Sequence, residues 1–492
     1  MNANPIAGAF ALAALLSACP PALLSAWAQA PRPAVTVPPL PGDAPQLVMP
    51  VVERGSLGNG LQVQVVEMHE VPLVQATLFI DGGARLDGGI SGLATFTANM
   101  LDEGAGDRDA FQLAAELEFL GASLSTSADW NFTRLSLRAP KRTFPQAMQL
   151  LGDVLLRPRF TALDLQRQRD LRQAAIVARR DRPQAVSQLV FASAVFPAGH
   201  PYHRPIDGDS AGTAKLDSAG VRAFWERSAL PSRGTLVVTG DVTLTEARRW
   251  ANDALGTWRN PSVTPAPLME TGPQPARPAT RVVLVDKPGA PQSVMIVGGP
   301  GFDRRSPDYP AITLMNAILG GSFSARLNDI LREQKGYSYG AYSDYDWQPI
   351  PSAFVAGSQV RTDVTDSSLA VIFQEFQRIR EEAVSQAELD RARQYLVLGS
   401  LTEFETTAQV SGVLSSLMPW RLPLQTVPDD LAAIQRLGAV EVQQAAVKYL
   451  DTAHVTVVVV GDVKTIRPGI EALNLGPIQL RDVDGGVLPP SP

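Results

Sequence analysis

The strongest constraint on this chain is that it repeats itself. Gly234-Thr235-Leu236-Val237-Val238-Thr239-Gly240-Asp241-Val242 returns, loosely, as His454-Val455-Thr456-Val457-Val458-Val459-Val460-Gly461-Asp462-Val463. Each is a β-branched run of the kind that fills a buried strand, closed by Gly-Asp-Val. Gly240 and Gly461 lie 221 positions apart. The starts of the two copies also correspond. Val74 to Ile80 reads as a strand ending in Asp81-Gly82-Gly83, with a helix from Ser91; Ser293 to Val297 reads as a strand ending in Gly298-Gly299-Pro300-Gly301, with a helix from Asp308. Gly82 and Gly299 are 217 positions apart, close to the other offset.

Between the copies, residues 260–280 hold Pro261, Pro265, Pro267, Pro273, Pro275 and Pro278. A run short of so many backbone donors reads as a linker. The expected domains are therefore 51–259 and 281–478, with a tail at 479–492. A chain of 492 residues needs more than one core in any case. In the first copy Phe111–Leu120, Phe144–Leu156 and Leu163–Arg180 are helical in pattern, and Ser123–Arg138 is a hairpin-like strand pair. In the second, Ser367–Ala383 and Gln386–Leu401 are helical. Strands cluster before helix pairs rather than alternating with them. That predicts an α+β fold of two homologous domains, each a largely antiparallel sheet flanked by helices. A hydrophobic share of 45% and a charged share of 19% are those of a soluble globular protein. Net charge is −6 and no basic cluster interleaves with aromatics, which argues against nucleic acid as a partner.

Residues 1–30 carry no charged side chain, and the apolar run from Pro5 to Ala18 is too short to span a bilayer. With Ala28-Gln29-Ala30 as a small-x-small cleavage site, this stretch reads as a secretory signal peptide, followed by a Pro-rich leader over 31–50. Export to a bacterial periplasm is the expected destination. Cys19, the only cysteine, sits in Leu16-Ser17-Ala18-Cys19, which matches a bacterial lipobox or matches it by chance. Membrane attachment would follow only if Cys19 is lipidated.

In the second copy, Leu319-Gly320-Gly321-Ser322-Phe323-Ser324-Ala325-Arg326-Leu327 leads through Ile330-Leu331-Arg332-Glu333-Gln334-Lys335-Gly336 to Tyr337-Ser338-Tyr339. Phe323, Leu327, Ile330 and Leu331 fall at helical spacing. After Gly336 the pattern alternates, with Tyr337, Tyr339 and Ala341 on one face and Ser338, Gly340 and Tyr342 on the other. Arg332 then ends a helix and Tyr339 begins a strand, an arrangement able to aim both into one cleft. From spacing alone, Arg332 as a helix C-cap and Tyr339 as a half-buried strand residue fit as well. Gly320, Gly321 and Ser322 fit either close helix packing or close approach of a bound peptide.

This stretch closely resembles the second-domain signature of the pitrilysin/insulinase family of zinc metallopeptidases, and the resemblance extends over both copies. It implies two units facing each other as a clamshell. It also implies that Arg332 and, seven positions on, Tyr339 contact bound peptide. The catalytic half of such enzymes carries H-x-x-E-H on the helix after the first strand pair, with a further Glu as third ligand. Here, after Gly92-Leu93-Ala94, the chain reads Thr95-Phe96-Thr97-Ala98-Asn99-Met100-Leu101. Thr95, Ala98 and Asn99 stand where His, Glu and His would. The counterpart of the distant Glu falls near Ala175, and no Glu occurs between Glu118 and Glu226. Catalytic zinc needs three protein ligands and an open position. The resemblance therefore implies a chain with no metal of its own. His200-Pro201-Tyr202-His203 is the only close His pair, and Pro201 argues against the helical i, i+4 geometry of a zinc site.

The resemblance thus implies the non-zinc, substrate-binding subunit of a heteromeric zinc metalloendopeptidase. Zinc is expected in a homologous H-x-x-E-H partner, with Arg332 and Tyr339 acting in trans on peptide substrates and no activity expected of this chain alone. The alternative is an inactive peptide-binding or scaffold protein of the same fold.

Overall fold

The computed structural model describes residues 48–260, 265 and 278–489; the expected signal peptide, Cys19 and nearly all of the leader and linker lie outside them. The described residues all fall in one compact unit. It contains two six-stranded sheets. The first is built from β1 (Glu53–Ser56), β2 (Gln62–Glu67), β3 (Leu73–Asp81), β4 (Ser123–Ala128), β5 (Phe132–Pro140) and β6 (Gly234–Gly240), in the order β1-β2-β6-β3-β5-β4. The second uses β7 (Arg281–Asp286), β8 (Gln292–Pro300), β9 (Ser338–Tyr345), β10 (Ala353–Arg361), β11 (Thr456–Gly461) and β12 (Ile478–Arg481), in the order β9-β10-β8-β11-β7-β12.

Five of the six strands match one for one, β2-β6-β3-β5-β4 with β7-β11-β8-β10-β9. The repeated Val-rich runs are β6 and β11, each paired in parallel with the first long strand of its copy and antiparallel with the second. Most other pairs are antiparallel, so the sheets are mixed, as an α+β fold allows. The copies differ at one edge, where β1 pairs antiparallel with β2 but β12 pairs in parallel with β7. Strand β12 runs to Arg481, so the sheet continues past the expected boundary at residue 478.

Alternation along the strands explains the layers. Val74, Ala76, Leu78 and Ile80 of β3 point into a core made with the first copy's own helices, including Leu93–Leu101 and Phe144–Leu156. Phe79, with Val66, Phe132 and Val237, faces the other way. That face is covered by Val410, Val413, Leu414 and Leu417 of the helix Thr407–Leu417, which belongs to the second copy. The reverse also holds. Val283, Val285, Ile296, Val458 and Val460 of the second sheet are covered by Val186, Val190 and Phe191 of the helix Pro183–Val195, from the first copy. Each copy lends one helix to the other's sheet. Side-chain bonds across the junction join Thr239 to the Thr407 carbonyl (3.0 Å), Tyr202 to the Ile350 carbonyl (3.0 Å) and Asn131 to Gln348 (2.8 Å). The two halves meet face to face, and a cleft of about 810 Å³ stays open between them.

Candidate functional site

The helix Leu93–Leu101 starts after Gly92, whose φ of 81° suits glycine. The buried carboxylate of Asp87 caps it, accepting from the N–H groups of Gly92 and Ala94 at 2.8 Å each. Burial raises the Asp87 carboxyl to about 6, although those N–H bonds and the charges of Arg204 and Arg172 pull it down. Thr95 is buried, and its hydroxyl donates to the Gly92 carbonyl (3.1 Å) and the Ile206 carbonyl (3.3 Å). Ala98 is fully buried and its carbonyl accepts from Thr126 of β4 at 2.8 Å. Asn99, one turn on from Thr95, is exposed.

The third-ligand region holds a surprise. Among the described residues the carboxylates of Ala162–Arg179 bond within their own helix, Asp164 with Thr161 and Asp170 with Gln166. Instead Arg172, 7% exposed, donates to the Gly92 carbonyl at 2.7 Å and stands 5.0 Å from the centre of the Phe96 ring. Burial lowers its pKa, opposed by the charges of Asp207 and Asp87. A zinc ion does not fit this donor set: Ala98 offers no donor, the Thr95 hydroxyl is already bonded to two carbonyls, and the charged side chain from Ala162–Arg179 that bonds the start of this helix is a guanidinium, not a carboxylate. The sequence carries no signal of this Arg, because an Arg in an Arg-rich, largely exposed helix looks no different when it is buried. Among the described residues no group of three or more His, Cys, Asp and Glu side chains gathers as a metal requires.

The His pair is committed to its turn. His200 is stacked on Phe196 (4.6 Å between ring centres) and accepts from the Tyr202 N–H at 3.2 Å, while His203 bonds the Phe196 carbonyl at 2.7 Å. Burial, and then the neighbouring His203, lower His200 to about 4.

In the second half the Gly-rich stretch follows the helix Tyr309–Leu319. A Cβ on Gly320 would lie 2.4 Å from the Ser343 amide nitrogen, and one on Gly321 would lie 2.6 Å from the Asn316 amide group. Ser322 is buried and donates to the Ala317 carbonyl at 3.0 Å. The structure thus accounts for both glycines by the packing of the turn on its own helix and on β9; of the three residues, Ser322 lines a cleft of about 480 Å³ beside Phe323, Arg326 and Glu388. The expected amphipathic helix is a short α-turn, Arg326–Asn328, that widens into a π-helix, Asp329–Gln334. Arg332 sits on the π-helical turn with its side chain 40% exposed, 3.2 Å from Glu333 and 4.7 Å from the centre of the exposed Phe323 ring.

Tyr339 departs from the simple alternation. The pairing of β9 with β10 jumps from Ser338↔Val360 to Ala341↔Ser358, a β-bulge. Ser338 stabilises it by bonding the N–H (2.9 Å) and carbonyl (2.6 Å) of Gly340. Past the bulge Ala341, Ser343 and Tyr345 are buried, but Tyr339 no longer shares their face and is 91% exposed. Tyr339 lines a second cleft, of about 430 Å³, with Tyr342, Gln292 and Gln359. Arg332 lines neither of these two clefts, so neither of them receives both side chains.

Two homologous α+β halves, a helix with Thr95, Ala98 and Asn99 where the resemblance expects His, Glu and His, and a Gly-rich turn leading to an Arg and an edge-strand Tyr define a peptidase-like protein. The chain belongs to peptidase family M16: residues 63–206 match the family profile "Insulinase (Peptidase family M16)" and residues 215–396 match "Peptidase M16 inactive domain". An "uncharacterized zinc protease" of Mycobacterium bovis is 27% identical over 315 residues, 62% of this chain and 69% of that protein. A "non-peptidase homolog" of Helicobacter pylori is 22% identical over 410 residues, 82% of this chain and 93% of the other. The crystal structure of a "peptidase M16 inactive domain" from Pseudomonas fluorescens superposes with a TM-score of 0.77 at 27% identity, over 83% of this chain and 98% of that one. A Helicobacter pylori protease structure gives 0.78 at 18% identity, over 84% and 100%, and shares the fold.

Proposed function

We propose that this chain is the non-zinc, substrate-binding subunit of a periplasmic heteromeric M16 endopeptidase. The observation that carries the reading is a contrast. The helix that should hold metal is closed over by the Ile206 carbonyl and Arg172, whereas Tyr339 is turned out to solvent by a bulge. The partner, a homologue with H-x-x-E-H, would supply zinc and its water. This chain's residues then bind and orient. Strand β9 is an edge of its sheet, where an extended peptide can pair through its backbone. The Tyr339 hydroxyl donates to the carbonyl oxygen as negative charge builds there, and Arg332 offers its forked donors to substrate carbonyls or a carboxylate. Neither residue is buried, so closure on a partner can bring them together. Secretion by the N-terminal segment, with or without acylation at Cys19, would put the complex in the periplasm.

Coexpression with an H-x-x-E-H homologue tests this. The mixture is expected to cleave peptides faster than the homologue alone. Arg332→Ala or Tyr339→Phe is expected to slow the complex by about 10²–10³ without dissociating it. Equal rates with and without this chain would sink the proposal. The "non-peptidase" description of the Helicobacter relative favours a second reading, a scaffold of the same fold. A stable complex with unaltered activity would support that reading instead.

A further inference from the structure

The cleft between the two halves is lined by neither Arg332, Tyr339 nor the vacated metal helix. Its charges do not balance. Two arginines line it and both are already paired, Arg134 with Asp129 and Arg304 with Asp430. Asp344, Asp346 and Glu403 line it as well, and none of the three is in an ion pair among the described residues. Asp346 takes bonds only from neutral donors, Ser352 at 2.7 Å and Gln348 at 2.9 Å. Asp344, Asp346 and Glu403 are exposed into the cleft, yet the partial burial of Asp344 and Glu403 raises their carboxyls, and for Asp344 the charge of Asp346 adds to it, as expected of anions with no cation nearby.

Two further groups are left open. Asn131 is 4% exposed and lines the cleft; its amide donates to Gln348 across the junction, but its buried carbonyl oxygen has no partner among the described residues. The Trp420 indole N–H, also in the lining, is likewise buried and unpartnered. Trp347, stacked on Tyr345 at 5.3 Å, adds an aromatic wall. The carboxylates do not converge as metal ligands would. Spread along a wall of about 810 Å³ capacity, they suit a cation whose charge is carried on an extended stem.

We propose that this cleft binds an organic cation, ammonium groups on an aliphatic stem. Asp344, Asp346 and Glu403 take the charge, the Asn131 carbonyl accepts an N–H, and Trp347 and Trp420 cover the stem. The same chemistry comes from a free polyamine or from lysines in an extended peptide. Calorimetric titration of the full chain at low salt with spermidine, and separately with a blocked Ala-Lys-Ala-Lys-Ala peptide, tests this. Saturable binding of at least one is expected. Binding of spermidine alone assigns the site to small amines, of the peptide alone to peptide lysines, and of both to ammonium on either carrier. Asp344→Asn/Asp346→Asn/Glu403→Gln is expected to weaken binding by at least about tenfold. Glu53→Gln/Asp107→Asn/Glu118→Gln removes as much charge from exposed positions outside the cleft and is expected to change it little. Glu403→Gln alone, at an exposed position just past the helix Gln386–Thr402, guards against misfolding of the triple variant and is expected to weaken binding by about threefold. No saturable binding of either ligand, equal weakening in the exposed-charge variant, or an unchanged affinity in Glu403→Gln overturns the proposal.

Discussion

Arg326 shows how much of the second half's signature stretch is held by one side chain. It is 7% exposed, 2.6 Å from Glu388 and 3.7 Å from Glu375, and so ties the turn before Arg332 to the helices Thr365–Glu381 and Gln386–Thr402. Burial alone would raise the Glu388 carboxyl, but the Arg326 and Ser385 bonds outweigh it and hold it at about 2. Removing one partner of a buried cluster leaves the others uncompensated. Arg326→Met is therefore expected to cost about 3–5 kcal/mol in urea unfolding. The pH dependence has a definite sign. Glu388 titrates lower in the folded chain than its ordinary 4.5, so its contribution is present above pH 4.5 and is lost as pH falls towards about 2. The gap between wild type and Arg326→Met should narrow over that window. A gap that stays constant with pH would mean that Glu388 is not held by Arg326.

Among the elements, the helix Leu93–Leu101 matches its family in flanking sequence but not at Thr95, Ala98 and Asn99. That Thr95, Ala98 and Asn99 stand where the resemblance expects His, Glu and His is plain in the sequence. The burial of Arg172 is not, because it depends on how Ala162–Arg179 docks, which no local spacing records. Thr95→His/Ala98→Glu/Asn99→His is accordingly expected to purify without stoichiometric zinc by atomic absorption. The third ligand is still lacking, and Arg172 still bonds the Gly92 carbonyl at 2.7 Å. Stoichiometric zinc in that variant would contradict this account. Strand β9 carries the same lesson. The Tyr-Ser-Tyr-Gly-Ala pattern reads as plain alternation and would place Tyr339 beside Ala341, on the buried face. The bulge at Ser338 to Gly340 breaks that parity, and only the pairing with β10 reveals it. Helix and strand positions from Phe144–Leu156 to β11 were legible because their apolar periods are local; a bulge and a docked helix are set by partners distant in sequence.

For the whole molecule, the duplication was legible from Gly240 and Gly461, but the exchange of helices was not. An apolar stripe such as Val186, Val190 and Phe191 states that a helix must be covered, not whose sheet will cover it. The exchange has a thermodynamic consequence. Without Thr407–Leu417 the first sheet would expose Val66, Phe79, Phe132 and Val237 to water, and without Pro183–Val195 the second would expose Val283, Ile296 and Val458. Each half then keeps a core on one face of its sheet but leaves the other face bare, so the two should unfold together. Calorimetry of the full chain is expected to show one transition. Leu414→Ala, in the helix lent to the first sheet, and Phe191→Ala, in the helix lent to the second, should each lower that same transition. A loss of about 3 kcal/mol corresponds to about 3 °C for a chain of this size. The decisive feature is that both variants move one peak. If Leu414→Ala split off an early transition while Phe191→Ala left it in place, the halves would be separate folding units and the lent helices merely docked on finished domains.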